Sequence, residues 1–416
     1  MLSVAEAQQA ILTQIKRLEP ETVPLLEALG RVLAEDVQAA ATLPPFDNSA
    51  MDGYAVRAED VIGASSETPV RLPVIVDVPA GHPTDIEIVA GTAARITTGA
   101  MLPRGADTVV PVEDTDDQAR GASALPQAVT IYQAFPQGAH VRLAGDDLQA
   151  GDRVLDSGVL IRPAEIALMS AVGHSRVAVV RRPRVALLAT GDELVSPDEQ
   201  PGPGQIRNVN EYSTAALVQR YGGVPLLFGI ARDRTEAVAA KLEDAIEQGA
   251  DLIVASAGVS VGAYDVVKDA VQAHGSIDLW KVRMRPGKPI AFGHYRGVPF
   301  FGLPGNPVSA MMTFEQFVRP ALRIMNGLTS WRKPTVTVTL LEAIDSDGRE
   351  TYARAWVERR SGDWTARLSG GQGSNMLHSL ARANALVIVP DGVTHLAEGA
   401  TAQAQMLDWP EEIAAL

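Results

Sequence analysis

From Arg184 onward, short apolar runs alternate with segments of helical spacing, and this constrains the fold more than any other feature of the chain. VALLA (185–189), VPLLFGI (224–230) and DLIVAS (251–256) have no polar face. Strands of that kind must be covered on both sides, which is the condition of a parallel sheet. Between and after them, Glu211 to Tyr221 (with Asn210 as cap), Thr235 to Gln248 and Asp265 to Ala273 read as helices, the second stopped by Gly249. The repetition predicts a doubly wound α/β domain. WKVRMR, PIAFGHY and VPFFGL add extended segments. A long helix is predicted from Pro307 to Met325, with Gly327 just past its end.

The flanks read differently. Ser3 and Glu6 have the spacing of a capping box, which predicts a helix through about Leu18, and residues 1–43 read as mainly helical. Residues 68–160 change to short β-rich runs, TPVRLPVIVDVPAG and HVRLAG among them, broken by Gly, Pro and Asp. That pattern predicts a small β domain inserted into a longer element, closed by a helix at about Ala164–Val172 before Gly173. After Trp331, TVTVTLL and YARAWVERR predict a C-terminal β domain. A chain of 416 residues is too long for one core. The expected units are 1–50 with 144–178, then 51–143, 179–328 and 329–416.

Charge and composition exclude several functions. With 36 Lys and Arg against 50 Asp and Glu, the net charge is −14, and no basic run offsets it. Such a field repels nucleic acid and anionic membrane, so neither is an expected partner. The absence of cysteine excludes disulfides, thiolate nucleophiles and thiolate-ligated metals. No apolar run approaches the ~20 residues of a membrane helix, and the N-terminus lacks the regions of a signal peptide. A cytoplasmic protein is expected.

Ligands of an open parallel sheet bind beyond the carboxyl ends of its strands. Glu193 in ATGDELV, Asp233 in GIARDR and Asp265 in SVGAYD lie just past three successive strand ends. Singly, each suits a helix cap or a solvated loop; along one crevice, they suggest a cation site or acid/base chemistry. All-oxygen ligands suit Mg²⁺, and His174, His274 and His294 show no ligand spacing. In KVRMRPGK (281–288), strand alternation puts Lys281, Arg283 and Arg285 on one face, with Lys288 after the Pro286–Gly287 turn. In so acidic a chain that row is a candidate anion site. GLPGNPVSA (302–310) sets a Gly-rich turn with Pro304 and Asn306 before the long helix, with Pro307 suited to its first position. Free N–H groups at a helix start bind phosphate or other oxyanions.

Two further segments leave alternatives open. SAGVSVG (256–262) matches G-x-S-x-G at Gly258–Gly262, between a strand and a helix. It is either the nucleophile elbow of a serine hydrolase, with Ser260 as nucleophile, or a small-residue loop that admits a phosphate. PPFDNSAMDGYAV (44–56) suits no regular element, with its two prolines, its Asp-Asn-Ser turn chemistry and Gly53. It either holds the Asp52 carboxylate between two domains or is a tight interdomain turn with Met51 and Tyr54 buried.

PPFDNSAMDGYAV, TTGAMLPRGADTVV (97–110), ATGDELV, SAGVSVG, RPGKP and GLPGNPVSA, in this order, resemble the molybdopterin molybdenumtransferase family, often called MoeA, which includes the gephyrin E domain. The resemblance spans essentially the whole chain. Ala257 stands where the family usually has Gly, and Arg285 where Lys is common. The resemblance implies a multidomain α/β and β fold. Its parts are an elongated linking domain with an inserted β domain, a doubly wound domain like molybdopterin adenylyltransferases, and a C-terminal β-barrel domain. It also implies insertion of molybdate into adenylylated molybdopterin with Mg²⁺ and release of AMP. The implied assembly is a homodimer with active sites between subunits, with a molybdopterin adenylyltransferase as a further implied partner. The family's acids fall on Asp52, Asp147 (in AGDDLQAG), Glu193, Asp233 and Asp265, the last three as metal ligands. Gly258, Ser260, Gly262, Arg285, Lys288, Pro304, Asn306, Pro307 and Ser309 match its ligand-binding loops. A serine hydrolase at Ser260 and a non-catalytic scaffold of the same fold remain the competing readings.

Overall fold

The structure, a computed structural model, describes residues 1–117, 124–256, 263–360 and 362–410, and only the backbone of residues 263–265. The Ser3–Glu6 capping box forms as expected: the Ser3 hydroxyl accepts the Glu6 N–H at 3.2 Å, and the Glu6 carboxylate accepts the Ser3 N–H at 2.8 Å. The helix Val4–Leu12 nevertheless stops well short of Leu18. Thr13 turns its hydroxyl back onto the Gln9 and Ala10 carbonyls (3.1 and 3.2 Å), a local bond that competes with helix extension. Nor is the rest of 1–43 mainly helical. Pro20–Pro24 is a strand antiparallel to Arg176–Val180, followed by a 3-10 turn at Leu25–Ala28. Two prolines bounding that strand fit an edge, where missing N–H donors cost nothing. The helix Pro163–Ala171 closes the first half, with Gly173 at φ +96°.

The inserted unit is a five-stranded sheet in the order Thr108–Pro111, Gly53–Val56, Ala93–Ile96, Val70–Val78, Ala128–Ile131. Gly53 is obligatory there, because a Cβ would run into the Val110 carbonyl of the neighbouring strand.

The α/β unit has a six-stranded sheet in the order Val224–Ala231, Arg184–Thr190, Leu252–Ser256, Val298–Leu303, Pro289–Tyr295, Gly275–Lys281. The first four strands are parallel, and Pro289–Tyr295 runs antiparallel to both of its neighbours, so the sheet is mixed. The reason is local: Arg296 and Gly297, both at positive φ, join Pro289–Tyr295 to Val298–Leu303 by a tight turn, which only antiparallel neighbours can use. Helices Thr235–Glu247 and Ala263–Gln272 cover one face. The other face carries Val4–Leu12, Asn210–Arg220 and the long helix. Asn210 is the first residue of its helix, with Val209 in the cap position and no side-chain cap bond.

The long helix runs Pro307–Thr313, then one π turn at Phe314–Val318, then Arg319–Met325, with Gly327 at φ +87° beyond it. Pro320 accounts for the π turn. Its ring cannot sit against the carbonyl four residues back, which belongs to Gln316, and it offers that carbonyl no donor. The Gln8 side-chain amide supplies the bond instead, at 2.8 Å.

In the C-terminal unit Glu350–Arg360, Asp363–Leu368, Thr335–Leu340, Thr401–Met406 and Ala385–Val389 follow one another, and the last pairs back onto the first, closing a barrel. One further strand, Met284–Arg285, comes from the α/β segment of the chain and pairs parallel with Glu350 and Thr351. Among the described residues, no helix is long and apolar enough to cross a membrane.

Candidate active site at the domain junction

That two-residue ladder brings the cationic segment against both the long helix and the barrel. The result is a cleft of about 480 Å³ with three walls. The first is the turn from Arg285 to Pro289. The second is Pro304, Gly305, Asn306 and Ser309, with Pro307 starting the helix behind them. The third, Arg349 and Gln372–Ser374, belongs to the barrel. Gly287, at φ +110°, lets the first wall lie on the second, since a Cβ there would fall 2.6 Å from the Thr313 hydroxyl.

The expected row of three cations does not form. The strand ends at Lys281, and Arg283 leaves the cleft to pair with Asp391 at 2.7 Å. Arg285 and Lys288 both line the cleft, and among the described residues neither has a carboxylate partner. Arg349 joins them. Its guanidinium is bound to Asp347 (Nε to Oδ1, 3.0 Å) and donates to the Met284 carbonyl at 3.0 Å. The hydrogen bond from Arg349 holds the Asp347 carboxyl down at about 2, with the Arg285 charge adding to the effect. With Asp347 set against Arg349, the cations still outnumber the acids around this cleft.

A fully buried arginine organises the third wall. Arg354 donates to the Gly371 and Gly373 carbonyls (2.8 and 3.1 Å) and to the Ser379 hydroxyl (2.9 Å). Among the described residues no carboxylate pairs with it, and burial lowers its pKa. Gln372 clamps the same residue by accepting its N–H at 2.8 Å and donating to its carbonyl at 3.1 Å. The ordered loop then meets the second wall: Asn306 donates to the Ser374 hydroxyl at 3.2 Å, and the Val308 N–H reaches the Ser374 carbonyl at 3.3 Å. Asn210 supports the second wall from behind by donating to the Gly305 carbonyl at 2.8 Å. Arg349, Arg354, Gln372 and Ser374 were missed in the sequence. The run Gly370–Ser374, GGQGS, was the available signal.

The acids lie elsewhere on the same sheet edge. The strand order places the Asp233 loop, the Glu193 loop, the end of Leu252–Ser256 and then Pro304 in succession, with neighbouring strands ~4.8 Å apart. The Gly191 N–H bonds the Ala231 carbonyl at 3.2 Å, tying the first two loops together. Glu193 is exposed and folds over Gly191, where a Cβ would collide with its carboxylate. Asp233 Oδ1 is buried and, among the described residues, accepts no hydrogen bond. Among the described residues, no three His, Asp or Glu side chains stand close enough to hold a metal. The Asp265 side chain, and all of Gly258, Ser260 and Gly262, lie outside the described residues.

Asp52 and Asp147 do not line the cleft. Asp52 is exposed, and its Oδ1 accepts the Thr98 N–H at 2.7 Å and the Thr98 hydroxyl at 3.0 Å. On the same turn Tyr54 is buried, as expected, but Met51 is exposed. Asp147 is exposed, with its N–H on the Leu43 carbonyl at 3.1 Å.

The chain matches, in order, the MoeA N-terminal region (domain I and II) over residues 2–173, a probable molybdopterin binding domain over 186–324, and the MoeA C-terminal region (domain IV) over 337–407. It is 41% identical over 411 residues to molybdopterin molybdenumtransferase 2 of Mycobacterium tuberculosis, covering 97% of this chain and 99% of that protein. Against the molybdopterin molybdenumtransferase of a Nostoc species, identity is 40% over 410 residues, with 96% and 92% covered. The crystal structure of a molybdopterin biosynthesis MoeA protein from Pyrococcus horikoshii aligns at TM-score 0.80 and 32% identity, covering 98% of this chain and all of that one. With like domains in like order along its whole length, the chain belongs to the molybdopterin molybdenumtransferase family.

Proposed function

We propose that the protein inserts molybdate into adenylylated molybdopterin and releases AMP, a transferase step of molybdenum cofactor biosynthesis. The observation that carries this reading is the cleft, where Arg285 and Lys288 face a helix start and, among the described residues, have no carboxylate partner. Doubly charged molybdate and a phosphate-bearing pterin are ligands of the matching sign, and charge-assisted hydrogen bonds are the strong ones. Arg349 adds a third cation, held in place by Asp347. Asn306, Ser309 and Ser374 add polar groups on the facing walls.

The acid-bearing edge supplies the rest. Asp233 Oδ1, a buried acceptor without a donor, fits a hard cation, as do the oxygens of Glu193 and Asp265. These three would hold Mg²⁺, whose chemistry here is charge neutralisation on a pyrophosphate. Phosphate binding is the role given to Gly258, Ser260 and Gly262. Asp52 and Asp147 point outward in their own chain, and a homodimer would let the partner's Asp52 and the partner's Asp147 complete each site. Orientation of the attacking oxygen as AMP departs is the role given to Asp52. A molybdopterin adenylyltransferase would deliver the adenylylated substrate. The serine hydrolase reading has no support among the relatives, which are transferases by name.

The test is direct. Purified protein is incubated with adenylylated molybdopterin, with molybdate and Mg²⁺ each omitted in turn. AMP should appear only in the complete mixture. If none forms with competent substrate, the reading fails, and partner binding that needs neither ion would favour a scaffold.

A further inference from the structure

A second cationic cavity, of about 280 Å³, lies where the π turn of the long helix meets the segment leading into the barrel. Arg319 and Lys333 form its wall, each with a side chain only 5% exposed. Arg332 stands exposed at its rim, over the Trp331 ring at 5.2 Å. The one acid buried with them is Glu315, 3.0 Å from Lys333 Nζ and 3.9 Å from Arg319 Nε. Its carboxylate also accepts the Tyr221 hydroxyl at 2.7 Å. Glu350, the other acid of the lining, is engaged by the Tyr352 hydroxyl. Three cations therefore face two acids.

The hydrogen bonding is unfinished in the same place. Arg319 Nη1 donates to the Trp331 carbonyl at 2.7 Å, but among the described residues its buried Nε has no acceptor within hydrogen-bond reach, Glu315 Oε2 standing 3.9 Å off and itself without a well-aligned donor. A buried arginine N–H without a partner, beside surplus positive charge, is costly unless an acceptor of negative charge occupies the space. Burial also pushes the Lys333 ammonium down, against the pull of Glu315.

We propose that this cavity binds a small tetrahedral oxyanion, held by Arg319, Arg332 and Lys333. It shares no lining residue with the cleft. Ser309 and Arg319 lie on one helix ten residues apart, roughly 15 Å of rise, so the two sites are separate. An anion here ties the helix that begins in the cleft to the chain entering the barrel, which carries Arg349 and Ser374.

Equilibrium dialysis of the full chain against radiolabelled sulfate tests this, with unlabelled phosphate and molybdate as competitors to identify the preferred source. One oxyanion per chain should survive in the cleft variant Arg285→Ala/Lys288→Ala. Its binding should change Trp331 fluorescence, a change absent in Trp331→Phe. Arg332→Gln/Lys333→Met should weaken that site by about tenfold or more and leave cleft binding intact. If the cleft variant binds no oxyanion, the proposal is overturned without recourse to the second variant, whatever its folding. Binding unchanged in a folded Arg332→Gln/Lys333→Met variant would overturn it equally.

Discussion

The cleft and the Asp52 turn are built on opposite terms. Three distant stretches of chain are locked together around Arg285 and Lys288 by a strand ladder, a helix start and the buried Arg354. Asp52 rests on the outside of the inserted sheet, its carboxylate held by Thr98 and its carbonyl by the Val112 N–H at 3.0 Å. One region is a cationic cleft closed within the chain; the other is an acid presented outward. Under the proposed dimer, anion binding and acid chemistry need not be assembled by the same subunit.

The largest effects should come from removing acids. Under the proposed roles, Asp265→Asn and Asp52→Ala should each lower AMP release by ~10²–10⁴-fold while circular dichroism stays native. Mixing the two inactive variants then sharpens the comparison, because shared sites in a dimer would restore up to about a quarter of wild-type activity. No recovery despite proven subunit exchange would assign Asp52 to its own subunit or remove it from the chemistry.

Arg354→Leu comes next, with a stability loss of about 3 kcal/mol expected in chemical denaturation, since it strips several buried bonds from the 371–374 loop. A smaller loss would mean that Gln372 alone orders that wall. Arg285→Ala or Lys288→Ala should weaken molybdate or nucleotide binding by about 1.5–3 kcal/mol in calorimetric titration, with only partial relief by salt. Wild-type affinity in both variants would break the contrast by moving the oxyanion elsewhere.

The smallest effect concerns Asp347. Its folded-state carboxyl titrates at about 2, below the ordinary value of 3.8, so its contribution is present above pH 4 and disappears as the pH falls toward 2. With a side chain 43% exposed, the contribution should stay under ~1 kcal/mol. Asp347→Asn should flatten the acid limb of a stability–pH curve by that amount, and a curve identical to wild type would show that the pair contributes nothing.

Much of this was legible in the sequence because it is written locally. The apolar runs at 185–189, 224–230 and 251–256 became the adjacent parallel strands, and the Gly- and Pro-rich turns at 286–287 and 304–307 became cleft walls. What was not legible depends on closure between distant segments. Arg349 and Ser374 reach the cleft because Met284–Arg285 pairs with Glu350–Thr351, and nothing in either stretch announces the other. Arg354 alternates with alanines as a surface residue would, yet the barrel and the loop it holds bury it entirely. Arg283 shares a spacing with Arg285, but Asp391, far along the chain, takes it away.

The Met284–Arg285 strand also bears on how the molecule comes apart. By covalent order it belongs with the α/β sheet; by hydrogen bonding it belongs to the barrel, and the Glu350 N–H reaches back to the Arg283 carbonyl at 3.1 Å. It is a seam sewn from both cloths, so neither unit can melt while the other keeps it. Scanning calorimetry should therefore show the two transitions merged into one peak, whereas two resolved peaks would mean that the seam parts first.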